Sequence, residues 1–241
     1  MMVRRSHPLS ESAVGWKPGR LGVKIPQALL EAKNPATVRR IVAAAERIFA
    51  EHGLAGARTD EIARAARVNK ALLYYYFGSK ENLHRFALES LLGQLLVTIQ
   101  YAPAPDALPR EQLLAYVNGY FDFVSGHPNY PRLVQREMME TGKHLGWIVE
   151  RYFRPLHQRL GRAIEAGIAA GDFRPVDPHH TVLTIIAMTV FYFAAAPLLS
   201  AIWGRDALRP QAVAARRRAI LDFLEHGLFR PTAKNAPSPD R

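Results

Sequence analysis

The sequence predicts an all-α protein of about nine helices in two parts, a three-helix unit near the N-terminus and a larger helical remainder. Apolar residues recur at helical spacing along most of the chain, and no alternating strand pattern competes with them. Glycine, proline and capping residues separate the helical segments. With 241 residues, 49% of them apolar, the chain can bury a sizeable core.

Composition narrows the classes of protein that need to be considered. The chain has no cysteine, which excludes disulfides and thiolate metal sites and fits the reducing cytoplasm. Its formal charge is +11 and is unevenly spread: residues 1–83 carry 14 Lys/Arg against 7 Asp/Glu, and residues 84–241 carry 18 against 14. The excess in the first third suggests a polyanionic partner there, and a generally basic composition is the alternative.

The first 33 residues show little periodicity and contain glycine, proline and serine. No apolar run follows Arg4 and Arg5, so this segment is not a secretory signal. We expect residues 1–33 to form a flexible basic arm. It either touches a DNA groove or backbone or is a disordered tail with no role.

Two helices are predicted in the first part of the chain after this arm. Asn34 is a suitable cap and Pro35 a suitable first residue for a helix that continues with apolar periodicity and ends at Gly53. Thr59 is expected to cap a second helix, whose small apolar face comes from Ile62, Ala63 and Ala66.

A third short helix follows after a tight turn. Asn69 can cap it, Gly78 can end it in a left-handed conformation, and Ser79 can cap the next helix at once. Its three consecutive tyrosines cannot all face a core on so short a helix. The pattern predicts a helix-turn-helix unit over residues 34–83. Arg67 stands where such turns commonly have glycine, so either this residue is strained or the turn differs slightly.

The larger part, residues 84–229, contains the remaining helices, and a disordered tail is expected over residues 230–241. One helix should bend or restart near Pro155, because proline lacks the backbone N–H of a helix interior. The predicted spans are 80–100, 111–125, 130–141, 147–170, 181–204 and 210–228, with a proline-marked loop over 102–109.

The segment Thr181–Gly204 has no charged residue and is long enough to cross a bilayer. It contains Pro197, threonines and a serine, and no other segment resembles it. We therefore interpret it as a helix buried on nearly all sides, in the core and at a subunit contact, and we expect no membrane partner.

Five motifs of the helix-turn-helix unit match the pattern of a known family. They are Ile48-Phe49-Ala50-Glu51-His52-Gly53, Thr59-Asp60-Glu61-Ile62-Ala63, Val68-Asn69-Lys70-Ala71, Leu73-Tyr74-Tyr75-Tyr76-Phe77 and Ser79-Lys80-Glu81-Asn82-Leu83. With these motifs the unit resembles the DNA-binding domain of the TetR family of transcriptional regulators. The larger part resembles that family's ligand-binding and dimerisation domain only in its helical layout.

The resemblance implies which side chains meet DNA. A lysine in the first turn of the third helix can donate to guanine O6 or N7. Leu72 departs from the threonine or serine that often contacts a phosphate in the family, and core packing is an equal alternative for Tyr76. The implied contacts are Lys70, Ala71 and Tyr74 with base edges, and Thr59, Tyr75, Tyr76 and Lys80 with phosphates, with Arg58 and Leu72 beside them.

The function implied by the resemblance is that of a ligand-responsive transcriptional regulator, in the family's usual mode a repressor. It would bind a palindromic operator as a homodimer through its last two helices, and a small-molecule effector of unknown identity would release it. For each candidate pocket residue, ordinary core packing is the alternative. These candidates are Tyr116, Tyr120, Met138, His144, Trp147, His157, Met188 and Tyr192.

The competing hypothesis is an all-α metal-dependent or lipid-associated protein that does not bind DNA. Asp177, His179 and His180 lie close together in the sequence and could bind a metal, although Asp-Pro before a helix is more typical of a cap and turn. The chain lacks a zinc-protease helix motif, a phosphate-binding glycine-lysine loop and a nucleophile elbow. We therefore expect neither enzymatic activity nor a cofactor.

Overall fold

A computed structural model describes residues 34–100, 107–139 and 145–231. These residues are largely helical, and the pairing of Phe173 with Phe229 is an isolated antiparallel bridge. The all-α prediction is confirmed. The basic arm, the loop from 101 to 106, His144 and residues 232–241, for which the sequence makes predictions, lie outside the described residues.

The first three helices are α1 (Pro35–Gly56), α2 (Thr59–Ala66) and α3 (Lys70–Phe77). The Asn34 side chain accepts a hydrogen bond from the Thr37 N–H at 3.2 Å, so the predicted cap is confirmed. Gly53 has a φ of 68° and kinks α1, but helical structure continues to Gly56. The regular helix therefore ends at Gly53, as predicted, and one further helical turn follows the kink.

Helix α4 (Lys80–Gln100) begins directly after α3 and packs against the first helices. Gly78 has a φ of 74°, and the Ser79 hydroxyl accepts a hydrogen bond from the Asn82 N–H at 3.1 Å, as the sequence predicts. Near the start of α4, the Phe86 ring lies 5.5 Å from the Phe77 ring. The beginning of α4 is thus fixed to α3.

The larger part is built around α5, which packs against α4, α8, α9 and α11. The elements after α4 are α5 (Pro109–Gly126), α6 (Tyr130–Met139), α7 (Leu145–Ile148), a π-helical turn (Val149–Phe153), α8 (Arg154–Ala169), α9 (Pro178–Ala194), α10 (Ala196–Trp203) and α11 (Pro210–Gly227).

Two predicted helices are interrupted, the first of them where the sequence predicts it. The π-helical turn separates α7 from α8 immediately before Pro155, where the sequence predicts a bend. The predicted helix 181–204 is divided into α9 and α10, which are bent by 68°. Pro197 explains this break, because in a continuous helix its ring would clash with the carbonyl of Phe193.

In the single chain, 181–204 is only partly buried, so the predicted burial on nearly all sides depends on the predicted subunit contact. Leu183, Phe191 and Ile202 are 61%, 64% and 66% exposed. Among the described residues, no single helix combines the length and apolar character needed to cross a membrane; α9 and α10 meet that test only as a bent pair.

Helix α6 ties the larger part to the first helices. The Arg136 Nε donates to the Ala50 carbonyl at 2.9 Å, and its Nη2 donates to the Glu51 carbonyl. The Glu137 carboxylate lies 3.1 Å from the His84 Nε2, with both side chains almost fully buried. One short helix therefore holds both the end of α1 and the beginning of α4.

Stability should depend on pH through Glu46, which is partly buried in α1. Burial raises the pKa of its carboxyl from 4.5 to about 7. Between these values the folded state binds more protons than the unfolded state, so stability falls as pH rises through this window. Glu46→Gln should stabilise the fold by about 1–3 kcal/mol at about pH 8 and by much less near pH 5.

Thermal unfolding at the two pH values measures this effect. Exposed Glu165→Gln is the matched control and should change stability little at either pH. An equal gain from Glu46→Gln at both pH values would contradict the assignment.

Candidate nucleic-acid interface

The inner face of α3 is fixed by the core of the helix-turn-helix unit. Leu73, Tyr76 and Phe77 are 0%, 6% and 2% exposed. Of the two alternatives for Tyr76, core packing is the one observed: its ring is part of the core and stacks edge-on with Tyr75 and Phe77. Leu72 is half-buried and packs on the same core, so it offers at most an apolar contact.

The opposite face of α3 is open. Tyr74 and Tyr75 are 42% and 68% exposed, and Lys70 and Ala71 are also exposed. The Asn69 side chain accepts a hydrogen bond from the Ala71 N–H at 2.8 Å, so the predicted cap is present. The short helix thus presents a cation, a small residue and two phenols on one side.

Helix α2 contributes Thr59 and Arg58, but in a different way from that predicted. Thr59 is the first residue of α2 rather than its cap, and Arg58 occupies the cap position without a side-chain capping bond. The Thr59 hydroxyl lies 3.4 Å from the Tyr74 hydroxyl. This contact brings a side chain of α2 to the open face of α3, with Arg58 exposed beside it.

Lys70 is held by an ion pair across the two helices. Its Nζ lies 2.9 Å from the Asp60 carboxylate, and this hydrogen bond raises the pKa of the Lys70 ammonium. Asp60 could not be recognised as a site residue from the sequence, because a separation of ten residues becomes a contact only after α2 and α3 have crossed. The cation is therefore positioned before any ligand arrives.

Lys80 also has a partner that the sequence analysis missed. Its Nζ lies 3.4 Å from the Ala55 carbonyl and 3.2 Å from the Ala57 carbonyl, to which it donates. It thereby joins the beginning of α4 to the end of α1. Its side chain is partly exposed at the edge of the same unit.

The turn between α2 and α3 contains a strained residue. Arg67 has φ 55° and ψ 50°, the left-handed conformation that side chains with a Cβ disfavour. Its N–H donates back to the Arg64 carbonyl at 3.1 Å, and the Val68 N–H donates to the Ala63 carbonyl at 3.0 Å. Of the two alternatives for this turn, strain at Arg67 is the one observed.

The chain matches two models of one protein family. Residues 41–85 match the model described as bacterial regulatory proteins, tetR family, and residues 109–224 match the model described as tetracyclin repressor-like, C-terminal domain. The HTH-type transcriptional repressor SCO4008 of Streptomyces coelicolor is 30% identical over 202 residues, which cover 79% of this chain and 99% of the relative. The chain belongs to the TetR family of transcriptional regulators.

Other relatives agree with this assignment. The HTH-type transcriptional repressor NicS of Pseudomonas putida is 30% identical over 198 residues, which cover 79% of this chain and 91% of the relative. The structure of SCO4942 from S. coelicolor is 29% identical and matches 81% of this chain and 99% of its own with a TM-score of 0.63. The ketosteroid transcriptional regulator KstR2 of Mycobacterium tuberculosis, 23% identical, shares the fold with a TM-score of 0.65, over 80% of this chain and 96% of its own.

The candidate ligand residues of this TetR-family regulator do not form one group. Tyr116 and Tyr120 line a small apolar cavity of about 10 Å³, together with Ile99, Val117, Leu156, Leu160, Ile185 and Ile186. The Tyr120 hydroxyl lies 3.4 Å from the Tyr130 hydroxyl, and burial raises the pKa of both phenols, that of Tyr130 to about 12. Both therefore remain neutral hydrogen-bonding groups.

The other candidates lie elsewhere, which corrects the predicted pocket. Met138 is 62% exposed on α6, and His157 stacks on His179 with ring centroids 5.2 Å apart. Tyr192 belongs to a separate small cluster and donates to the Ala207 carbonyl. Met188 lines a groove of about 210 Å³ between α9 and α11, and Trp147 packs on Tyr152 with centroids 5.8 Å apart.

The suspected metal ligands of the regulator have structural roles. The Asp177 carboxylate accepts a hydrogen bond from the His180 N–H at 2.9 Å and caps α9, as the alternative interpretation of Asp-Pro expects. In the part of the chain that the structure describes, no group of three histidine, aspartate or glutamate side chains could hold a metal ion.

The strained turn predicts a stabilising substitution. Arg67→Gly should stabilise the regulator by about 1 kcal/mol, because glycine adopts a positive φ without the Cβ clash and this gain exceeds its extra unfolded-state entropy. Denaturant unfolding measures the change. Arg64→Gly is the control on the preceding helix and should destabilise by a similar amount, because glycine disfavours helix interiors. Destabilisation by Arg67→Gly would contradict the turn geometry.

Proposed function

We propose that this regulator represses transcription by binding a two-fold symmetric operator as a homodimer, with α3 of each subunit in a major groove, and that a small-molecule effector releases it. The observation that carries the proposal is the division of α3 into a locked inner face and an open face of Lys70, Ala71, Tyr74 and Tyr75. A helix with one free polar face fits the width of the major groove. Binding to chromosomal DNA places the protein in the cytoplasm.

Base edges would be met by the N-terminal half of α3. The Lys70 ammonium can exchange the Asp60 carboxylate for the O6 and N7 acceptors of guanine. Ala71 lies beside it and is small enough to meet a thymine methyl group. The Tyr74 hydroxyl, already near the Thr59 hydroxyl, reaches the same face.

Phosphates would be met at the two edges of this face. Tyr75 is more exposed than Tyr74 and can donate its phenolic hydrogen to a phosphate oxygen. Arg58 and Thr59 lie at the N-terminus of α2, where the helix dipole favours an anion. Lys80 adds a cation while holding the end of α1 in place. Such contacts fix the orientation of the protein on the duplex.

The homodimer would form through the last helices of the larger part, residues 84–229. Large apolar side chains on α9, α10 and α11 are exposed in the single chain, which is typical of an interaction surface. They are Leu183, Phe191, Leu198, Ile202 and Phe223, all at least 57% exposed. Packing α9 and α11 against their symmetry mates would give a four-helix bundle and place two copies of residues 34–83 on one face of the DNA.

The effector would act through α4 and α6. The small apolar cavity lies among α4, α5, α8 and α9, and Tyr120 beside it reaches Tyr130 at the start of α6. The other end of α6 holds α1 and α4 through Arg136 and Glu137. A ligand that prefers a displaced α6 or α4 would alter the separation of the two α3 helices and oppose DNA binding to the same degree.

The roles of the two lysines predict different losses of DNA binding. On a duplex selected from random sequences, Lys70→Ala should lose about 1–3 kcal/mol of preference over unrelated DNA. Lys80→Ala should weaken binding to all sequences and reduce the salt slope by about 1. Fluorescence anisotropy over a salt series measures both, with exposed Arg162→Ala on α8 as the control.

Lys80 also donates to carbonyls at the end of α1, so its replacement could weaken DNA binding by lowering stability. Thermal unfolding of Lys80→Ala shows whether stability falls or only the phosphate contact is lost. If Lys70→Ala weakened binding equally on all sequences, Lys70 would have no role at the bases.

The exposed apolar face of α9–α11 predicts that a single charged substitution prevents dimerisation. Phe191→Lys should convert a dimer into a folded monomer, because a desolvated lysine cannot pack against its symmetry mate. Specific DNA binding should fall with it, since one module contacts few bases. Light scattering gives the mass, and Leu108→Lys, an equally exposed apolar position outside α9–α11, is the control. A dimer that survives Phe191→Lys and Leu183→Lys would place the interface elsewhere.

A further inference from the structure

The π-helical turn Val149–Phe153 brings two polar side chains against α4. One additional residue in such a turn widens the helix, and π-helical turns occur frequently at functional sites. The turn packs against α4, and Tyr152, next to the central residue Arg151, is 1% exposed. The Arg151 guanidinium carbon lies 5.9 Å from the Tyr152 ring centroid. The irregularity therefore positions a guanidinium and a phenol inside the larger part.

Buried polar atoms of these two residues lack a partner outside the pair. Within the described residues, the Nε and Nη2 of Arg151 and the hydroxyl of Tyr152 are inaccessible to solvent and have no hydrogen-bond partner beyond a contact of the guanidinium with the phenol. A buried donor without an acceptor is destabilising, and a buried charged donor is more so. Three such atoms in adjacent residues indicate a site whose acceptor comes from another molecule.

The charges around this site are not balanced. On α4, the Arg85 Nε lies 3.1 Å from the Glu89 carboxylate, and Glu89 is 7% exposed. Burial raises the pKa of the Tyr152 phenol, and the negative charge of Glu89 adds to this effect while Arg151 opposes it. Glu89 thus pairs with Arg85, whose side chain is half exposed, and among the described residues Arg151 forms no ion pair.

We propose that the place where the π-helical turn packs against α4 is a binding site for a small organic monocarboxylate. The planar guanidinium of Arg151 offers two N–H donors to the two oxygens of a carboxylate, and the Tyr152 hydroxyl offers a third donor. A cation would be repelled by the excess positive charge, and a neutral amide would leave that charge uncompensated. The inference depends on the proposed function in one respect: it identifies this carboxylate as the effector of the regulator.

The apolar body of the ligand would lie among aromatic and aliphatic side chains. The Trp147 ring meets the Tyr152 ring edge-on at 5.8 Å, and Arg85 lies over Trp147 at 5.3 Å. Leu156, four residues after Tyr152, lines the small apolar cavity. These neighbours favour an aromatic carboxylate over a purely polar one.

Binding at this site would act directly on α4. A carboxylate beside Arg151 and Arg85 competes with Glu89 for its partner, and both Arg85 and Glu89 belong to the helix that continues from α3. A carboxylate that binds more tightly when Arg85 and Glu89 are separated would shift α4 and oppose DNA binding.

Titration calorimetry on the full chain without DNA tests the site. Benzoate and phenylacetate are the probes, and benzamide and benzylamine are the neutral and cationic counterparts, all at constant ionic strength. We expect at least one carboxylate to bind at millimolar concentration or below and its counterparts not to bind. Arg151→Gln should weaken carboxylate binding by about tenfold to a hundredfold, and Tyr152→Phe should weaken it by less.

Arg154→Gln is the matched control, because Arg154 is an exposed arginine next to the same turn and pairs with Glu150. It should leave carboxylate binding unchanged. Arg151→Met should leave the melting temperature unchanged or raise it, because it removes two buried N–H donors that have no acceptor. A marked loss of stability would instead give Arg151 a structural role and overturn the proposal.

The proposal would also be overturned if neither carboxylate bound, if benzamide bound equally well, or if Arg151→Gln left binding unchanged. Carboxylate binding is measured without DNA, so its failure leaves operator binding standing. Conversely, Arg151-dependent binding of a carboxylate by a protein that binds no DNA would refute the proposed function alone.

Discussion

The burial of Leu73, Tyr76 and Phe77 is the constraint on which the DNA-binding face depends. A helix of eight residues has little stability of its own, so its orientation is set by what its inner face packs against. Because three of its residues are locked in the core, Lys70, Ala71, Tyr74 and Tyr75 can only face outward. The same core includes Phe86 from the first turns of α4, so a displacement of α4 changes the packing of α3.

The second element of the mechanism is the way in which two helices connect the larger part to this unit. Helix α4 connects them covalently, and α6 does so through the buried pair of His84 and Glu137 and the bonds from Arg136 to the end of α1. Both helices also border the places where a ligand could act, α4 at the Arg85–Glu89 pair and α6 at Tyr130. A small displacement of α4 or α6 at a ligand site is therefore transmitted to α3 through packing and hydrogen bonds.

Features that depend on neighbouring residues could be predicted from the sequence, and features that depend on distant ones could not. The caps at Asn34, Asn69 and Ser79 were predictable because each side chain bonds a backbone group two or three residues away. Asp60 as the partner of Lys70, and the carbonyls that hold Lys80, become neighbours only through tertiary packing.

Helix interruptions and pocket composition show the same limit. Pro155 and Pro197 mark where helices deviate, but only the packed structure shows that one deviation is a π-helical turn and the other a 68° bend. The aromatic residues proposed for a single pocket share a helical spacing with ordinary core residues, so the sequence alone could not tell Tyr116 and Tyr120, which line the cavity, from Tyr192 and His157, which do not.

Methylation interference on a DNA duplex bound by the full chain tests the central claim most directly, because guanine N7 lies in the major groove and adenine N3 in the minor groove. If the open faces of two α3 helices enter the major groove from one side of the duplex, methylation of guanine N7 should block binding in two clusters. The centres of these clusters should be related by two-fold symmetry and lie about 10–10.5 base pairs, or a multiple of that spacing, apart. Interference confined to adenine N3, or to a single unpaired cluster, would contradict the account.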